Sequence, residues 1–290
     1  MVVVLMAHHV RRREFIALVG GAAAWPLGVR AQQAALVRRI GVLMFNSEND
    51  PQAQIRIKAL EGTLQKLGWA VGRNLLITYR WAEGETDRFR IHAADLVRRG
   101  EDLILTVSSP AVEAVQHETR TIPIVFTQVS DPVGQGIVAN IARPGGTVTG
   151  FTNYDPTMCG KWVELLKEAA PNVTRAAVVF NPRTAPYTAL YLRAMEAVAT
   201  STAVEVTPAP IHDDAEMEVA FSAHARKKGG GLIVMTDVFA SVRRKEIIKL
   251  AARLGLPAMY PYPYYVADGG LISYGIDQLE QFRGAGSYID

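Results

Sequence analysis

The stretch ILTVSSPAVEAV, Ile104 to Val115, indicates the fold because a strand leads directly into a helix within it. Four strand-forming residues precede Ser108-Ser109-Pro110, and a helical pattern follows. Serine is a preferred helix N-cap and proline is favoured at the first helical position. A strand end and free helix N–H groups therefore meet here, which is an arrangement that attracts anions. The same residues also suit a helix that only supports a sheet, so both interpretations stay open.

Apolar runs and amphipathic helical windows alternate on both sides of this junction. Strict alternation of strand and helix predicts an α/β fold with parallel sheets covered by helices. Ten strands are many for one sheet, so two Rossmann-like lobes joined by a hinge are the simpler arrangement. The predicted strands are Ile40 to Phe45, Leu75 to Tyr79, Leu103 to Val107, Ile124 to Thr127, Val148 to Thr152, Ala176 to Phe180, Val204 to Pro208, Leu232 to Met235, Ala258 to Tyr260 and Leu271 to Tyr274.

The composition is that of a soluble globular protein, with 290 residues, 49% hydrophobic and 20% charged. The formal net charge is +3, and residues 1 to 31 account for all of it. Nucleic-acid binding requires clustered Lys and Arg, and no long basic run follows residue 31, so no nucleic-acid partner is expected.

The N-terminal residues have the pattern of an export signal. An arginine-rich start, Arg11 to Arg13, precedes an apolar run from Phe15 to Val29 and a small-residue ending at Ala31. This pattern predicts a signal peptide over residues 1–31, cleaved after about Ala31, and a soluble periplasmic mature protein. Arg12-Arg13-Glu14-Phe15-Ile16 matches the twin-arginine export pattern, and the Sec route stays open. Export would follow either route.

The motifs of common enzymes and cofactor sites are missing from the chain. There is no GxGxxG after the first predicted strand, no phosphate loop, no GxSxG and no HExxH. The histidines after residue 31 show no metal-ligand spacing, and the single cysteine, Cys159, has no neighbouring histidine in sequence. We therefore predict no enzyme activity, no cofactor and no metal.

Polar residues follow the predicted strands, and ligands of parallel sheets bind at the carboxyl ends of strands. Asp237 is a candidate because it follows the apolar run Leu232 to Met235, although it could also cap a helix. The candidate ligand-binding residues are Asn46, Ser47, Ser108, Ser109, Ser130, Asp131, Asn181, Asp237 and Tyr274. Gln128, Asn153, Thr236, Tyr262 and Tyr264 also belong to this group of strand-end residues.

Four longer segments resemble the ABC transporter substrate-binding proteins that include periplasmic tryptophan- and tyrosine-binding members. They are Tyr79 to Arg99, Thr121 to Thr152 with its "DPVG" and "RPGGTVTG" motifs, Leu165 to Pro182, and Ala252 to Gly275. The resemblance implies a type I periplasmic-binding fold that closes on a small solute and delivers it to an ABC permease. The implied lobes are residues 38–150 and 151–260, with a crossover segment and helix, 261–290, returning to the first lobe.

In family members that bind amino acids, hydroxyls and helix N–H groups hold the carboxylate while an acidic residue meets the ammonium. The resemblance implies the first role for Ser108, Ser109 and Ser130, and the second for Asp237 or Asp131. Asn46, Asn181 and Tyr274 are implied as orienting groups. The implied protein is a monomeric receptor for an amino acid or another small carboxylate.

The chain departs from the family at its C-terminus, where members usually have a further strand and helix. A truncated chain with an unpaired sheet edge is therefore expected. Two other functions stay open on the same two-lobed scaffold, an exported sensor that signals to a membrane partner and an exported enzyme that uses the same cleft.

Overall fold

The protein has two parallel five-stranded sheets, each covered by helices, in a computed structural model that describes residues 37–290. The strand order is β2-β1-β3-β4-β5 in the first sheet and β10-β9-β8-β6-β7 in the second. The strands are β1 Arg38–Met44, β2 Leu75–Trp81, β3 Leu103–Val107, β4 Ile124–Val129, β5 Val148–Thr152, β6 Arg175–Phe180, β7 Glu205–Pro210, β8 Gly230–Val234, β9 Ala258–Tyr260 and β10 Ile272–Ser273. The predicted α/β class with two Rossmann-like lobes is confirmed.

The helices connect successive strands and cover the sheets, as parallel strands require. Their bounds are α1 Pro51–Lys66, α2 Thr86–Arg99, α3 Ser109–Glu118, α4 Cys159–Ala169, α5 Thr188–Glu196, α6 Ala199–Thr202, α7 Asp214–Ala225, α8 Val238–Val242, α9 Arg244–Arg253, α10 Pro263–Ala267 and α11 Gln278–Ile289, with one 3-10 turn at Pro156–Met158.

Each sheet has its own hydrophobic core. We call β1 to β5 with α1, α2, α3 and α11 the first lobe, and β6 to β10 with α4 to α10 the second lobe. Central strands such as β3 and β4 are buried almost throughout, which is why they read as continuous apolar runs in the sequence. Helix α11 packs on the first lobe, where Phe282 and Ala285 are buried among the side chains of its core.

The chain crosses between the lobes twice within residues 37–290. The first crossing follows β5, which ends at Thr152, so the predicted boundary at residue 150 falls inside that strand. The second crossing follows Ser273, because α10 and β10 still belong to the second lobe. The return to the first lobe therefore comes later than the predicted start at residue 261.

The predicted signal peptide, residues 1–31, lies outside the described residues. Within residues 37–290 no helix is long and apolar enough to cross a membrane.

Candidate functional site

The carboxyl ends of both sheets meet around one cavity. Ser108 follows β3, Gln128 lies near the end of β4, and Asn153 follows β5 in the first lobe. Thr236 and Asp237 follow β8 in the second lobe. The cavity is lined by Phe45, Ser108, Ser109, Gln128, Asn153, Thr184, Tyr187, Thr236, Asp237, Val238, Ser241 and Tyr262.

Three of the residues that line this cavity each have a buried polar atom without a hydrogen-bond partner. These atoms are Oγ of Ser108, Nε2 of Gln128 and Oδ1 of Asn153. A buried polar group without a partner costs about 1–3 kcal/mol, so folded proteins rarely keep one. Two of these groups can donate and one accepts. The cavity is therefore suited to a small molecule that carries both acceptors and donors.

The backbone at Ser108 is held in a conformation that serine rarely adopts, with φ 101° and ψ 159°. Its N–H donates to the Thr127 carbonyl oxygen at 3.0 Å, and its side chain makes no capping hydrogen bond to helix α3. A plain N-cap would have extended backbone and would use its hydroxyl. Strain of this kind costs about 1–3 kcal/mol and is concentrated at functional sites. The Ser108 junction therefore differs from a plain N-cap both in its backbone conformation and in its unused hydroxyl.

The two lobes touch each other across the cavity. The hydroxyls of Ser130 and Thr236 lie 3.2 Å apart, and Nδ2 of Asn153 donates to the Ser130 hydroxyl at 3.2 Å. The centre of a water molecule can move within only about 10 Å³ between these side chains. Because such a volume holds about one water, the conformation is closed, and a larger molecule can enter only if the lobes separate.

The carboxylate of Asp237 lines the cavity but is already engaged by its own lobe. It accepts hydrogen bonds from the Asn181 N–H at 2.7 Å, from the Phe239 N–H at 3.1 Å and from the Thr184 hydroxyl. Burial raises the pKa of Asp237 to about 6. Its contact with the Phe239 N–H caps helix α8. Asp237 therefore caps a helix and lines the cavity at the same time.

The other predicted residues surround the cavity at different distances. Ser109 lines it, while Ser130, Asn46 and Asn181 are buried. Ser130 contacts the Thr236 hydroxyl, Asn46 accepts from the Arg56 side chain, and Asn181 accepts from the Arg183 backbone N–H. Asp131 lines a second opening between the lobes, next to Gln135 and Tyr187.

Ser47 and Tyr274 are exposed and do not line the cavity. Ser47 lies in the turn before α1, where its carbonyl oxygen accepts from the Asp50 N–H, and Tyr274 begins the second crossing. The structure therefore does not bring these two predicted residues to the site.

Several lining residues were not among the strand-end candidates, namely Phe45, Thr184, Tyr187, Val238 and Ser241. Thr184 and Tyr187 lie in the loop that leads from β6 to α5, beyond the positions directly after the strand. The Tyr187 hydroxyl donates to the Thr236 carbonyl oxygen, which orients its ring at the cavity. Their loop positions carry no periodic signal, so sequence patterns do not identify them.

Comparisons with known proteins identify the family of this chain. A family model described as ABC transporter substrate binding protein matches residues 39–290. A tyrosine-binding protein of Clostridioides difficile is 28% identical over 221 residues, which are 76% of this chain and 62% of that relative, so the chain spans less than two thirds of the relative's length.

Two solved structures share the fold. A conserved domain protein of Vibrio cholerae superposes with a TM-score of 0.79 at 27% identity, covering 87% of this chain and 83% of that one. An ABC domain of Streptococcus pneumoniae in complex with L-Trp superposes with a TM-score of 0.78 at 23% identity, with the same coverage of 87% and 83%. The chain belongs to the family of ABC transporter substrate-binding proteins.

Proposed function

We propose that this protein is the solute receptor of an ABC importer and that it closes its two lobes around an amino acid with an aromatic side chain. It works as an exported, periplasmic monomer, delivers the solute to an inner-membrane permease and carries out no chemical step. The observation that carries the proposal is the set of three buried, unpartnered polar groups on one interlobe cavity.

The chemistry of the cavity supports a zwitterionic solute. The Ser108 hydroxyl and the Gln128 amide can donate to a carboxylate, together with the N–H groups at the start of α3. The Asn153 carbonyl oxygen can accept from an ammonium group. Hydrogen bonds to charged groups contribute about 1.5–3 kcal/mol each. Asn153 suits the ammonium better than Asp237 does, because Asp237 already accepts three hydrogen bonds.

The aromatic lining of the cavity supports an aromatic side chain on the solute. The rings of Phe45, Tyr187 and Tyr262 contribute to its wall, and aromatic rings pack favourably on one another. The names of two similar proteins, one tyrosine-binding and one in complex with L-Trp, are consistent with this choice. Closure supplies the selectivity, because the solute stabilises the closed state only by contacts to both lobes.

A thermal-shift series tests the proposal. L-Tyrosine and L-tryptophan should raise the melting temperature of the protein at millimolar concentration. Tyramine, which lacks the carboxylate, and 3-(4-hydroxyphenyl)propionate, which lacks the ammonium, should raise it much less. If no amino acid changes the melting temperature of the folded protein, the receptor function is wrong. Equal shifts with tyramine would contradict the assignment of Ser108 and Gln128.

A further inference from the structure

One ion pair joins the two lobes at a distance from the solute cavity. Arg244 begins helix α9 in the second lobe, and its Nη1 and Nη2 atoms lie 3.1 and 3.2 Å from the two carboxylate oxygens of Asp50 in the first lobe. Both side chains are at most 9% exposed. Within residues 37–290 no other salt bridge connects the lobes.

The Asp50 carboxylate is held rigidly in place. It caps helix α1 by accepting from the Gln52 N–H at 2.9 Å, and it accepts from Nδ2 of Asn46 at 2.8 Å. Burial raises the pKa of Asp50, but these two hydrogen bonds and the Arg244 charge outweigh it, so that the pKa is lowered overall. The charged form that attracts Arg244 is thus the favoured form.

The ring of Tyr264 strengthens the same contact. Tyr264 belongs to the second lobe, and its ring centroid lies 5.6 Å from the Arg244 guanidinium and 5.5 Å from the guanidinium of Arg56 in the first lobe. Guanidinium groups within about 6 Å of a ring centroid are attracted to its face. Arg56 and Tyr264 therefore form a second contact between the lobes beside the ion pair.

Arg56 also links the ion pair to the solute cavity. Its side chain is buried, and it makes no salt bridge within the described part of the chain. Nη1 donates to Asn46 Oδ1 at 3.1 Å, and Asn46 in turn binds Asp50. Nη2 donates to Gln278 Oε1 at 2.6 Å. A buried arginine without a carboxylate partner is costly, and such arginines are rare in folded proteins.

Gln278 joins Arg56 to the cavity-lining residue Gln128. Its Nε2 donates to Oε1 of Gln128 at 3.0 Å, and Nε2 of that cavity-lining residue is buried without a partner. Gln278 is the first residue of α11, immediately after the second crossing between the lobes. A continuous set of hydrogen bonds therefore runs from the solute cavity through Arg56 to the ion pair of Asp50 and Arg244.

We propose that Asp50 and Arg244 form a clamp that favours the closed state, and that Arg56 and Gln278 are positioning residues that connect this clamp to the solute-binding amide of Gln128. The clamp contributes to closure whether or not solute is bound. The role of Gln278 in positioning Gln128 rests on the proposed function.

The clamp is tested without any solute. Arg90 and Arg183 are exposed and line one groove from different lobes, so spin labels on R90C and R183C report how far the lobes separate. Cys159 is fully buried and does not compete for the label. R244M removes the contact to Asp50 between the lobes and also the salt bridge to Asp268 within the second lobe. We expect the loss of the interlobe contact to lower the ratio of closed to open molecules about tenfold. D50N, which keeps an N-cap residue, should lower it similarly, and the double variant should add little.

The matched control is R253M. Arg253 lies on the same helix as Arg244, but its salt bridge to Glu218 is exposed and stays within the second lobe. An unchanged interlobe distance in R244M, or an equal change in R253M, would overturn the clamp. The spin-label measurements use the solute-free protein. They therefore test the clamp even if no amino acid binds and the proposed receptor function is wrong.

Q278L tests the link to the cavity with L-tyrosine as the probe. It removes the hydrogen bonds to Gln128 and Arg56 without changing a charge. We expect about tenfold weaker tyrosine binding, with the interlobe distance of the solute-free protein nearer to that of the wild type than to that of R244M. Unchanged affinity in a Q278L protein of normal melting temperature would overturn the positioning role.

Discussion

Replacing Ser108 by alanine separates binding from stability at the candidate site. The side-chain oxygen of Ser108 is buried, has no hydrogen-bond partner and does not cap helix α3. Alanine removes this oxygen and little else, and both residues bear the unusual backbone angle, φ 101°, at a similar cost. The substitution therefore leaves the architecture of the junction intact while it removes one group that we assign to the solute.

S108A should leave the stability of the protein unchanged or increased, and it should weaken solute binding. Without solute, removing an unsatisfied polar atom should leave the free energy of unfolding unchanged or raise it by up to about 1 kcal/mol. With solute, the lost contact to a carboxylate should weaken binding by about 1.5–3 kcal/mol, or roughly 10- to 150-fold in Kd. S108G should bind equally weakly and be more stable than S108A, because glycine tolerates the positive φ.

Urea unfolding of the solute-free proteins and calorimetric titration with L-tyrosine measure the two effects. S109A is the matched control. It controls for the stability measurement, because the Ser109 hydroxyl also lines the cavity but already accepts from Nε2 of Gln135 at 3.1 Å, so its removal should destabilise the protein where S108A does not. If S108A unfolds more easily by over about 1 kcal/mol, the hydroxyl is structural and our reasoning is wrong. Unchanged tyrosine affinity in S108A would refute it equally.

Three further predictions concern the lobes themselves. Burial raises the pKa of Asp237 from 3.8 to about 6, so the folded state binds the proton more tightly than the unfolded state. The free energy of unfolding should therefore fall by up to about 3 kcal/mol as the pH rises from about 4 to about 6. Urea unfolding at several pH values should show a smaller fall in D237N. G150A should lose about 1–3 kcal/mol or more of stability in the same assay, because its Cβ would press against the Phe126 carbonyl oxygen, whereas G62A on helix α1 has open space and should not. Cys159 is buried and burial raises its pKa, so maleimide should modify it only after unfolding, and rapid modification of the native protein would contradict that burial.

The fold was predictable because the strands of a parallel sheet are buried on both faces and stand out as apolar runs. All ten predicted strands overlap the observed ones, from β1 at Arg38–Met44 to β10 at Ile272–Ser273. The predicted end of the first lobe at residue 150 lies inside β5, because the strand continues to Thr152 and nothing in the sequence marks its end. Alternation locates strands, but it does not mark the residue at which the chain leaves one sheet for the other.

The candidate site was predictable only in part. Ser108 and Asp237 stand at strand ends and could be located, but the sequence does not show that the Asp237 carboxylate is used by its own lobe. The pairing of Arg56 with Gln278 joins residues 222 positions apart, and nothing local to either residue indicates it. Such contacts depend on how the lobes and α11 pack, which is a tertiary property.

A crystal structure of the protein grown with L-tyrosine tests the central claim most directly. Our account predicts tyrosine between the lobes, with its carboxylate at the Ser108 hydroxyl and Gln128 amide and its ammonium at Asn153 Oδ1. The closed lobes should keep the contact between Asp50 and Arg244. A structure that binds tyrosine elsewhere, or that closes on it without contact to Ser108, Gln128 or Asn153, would contradict the account.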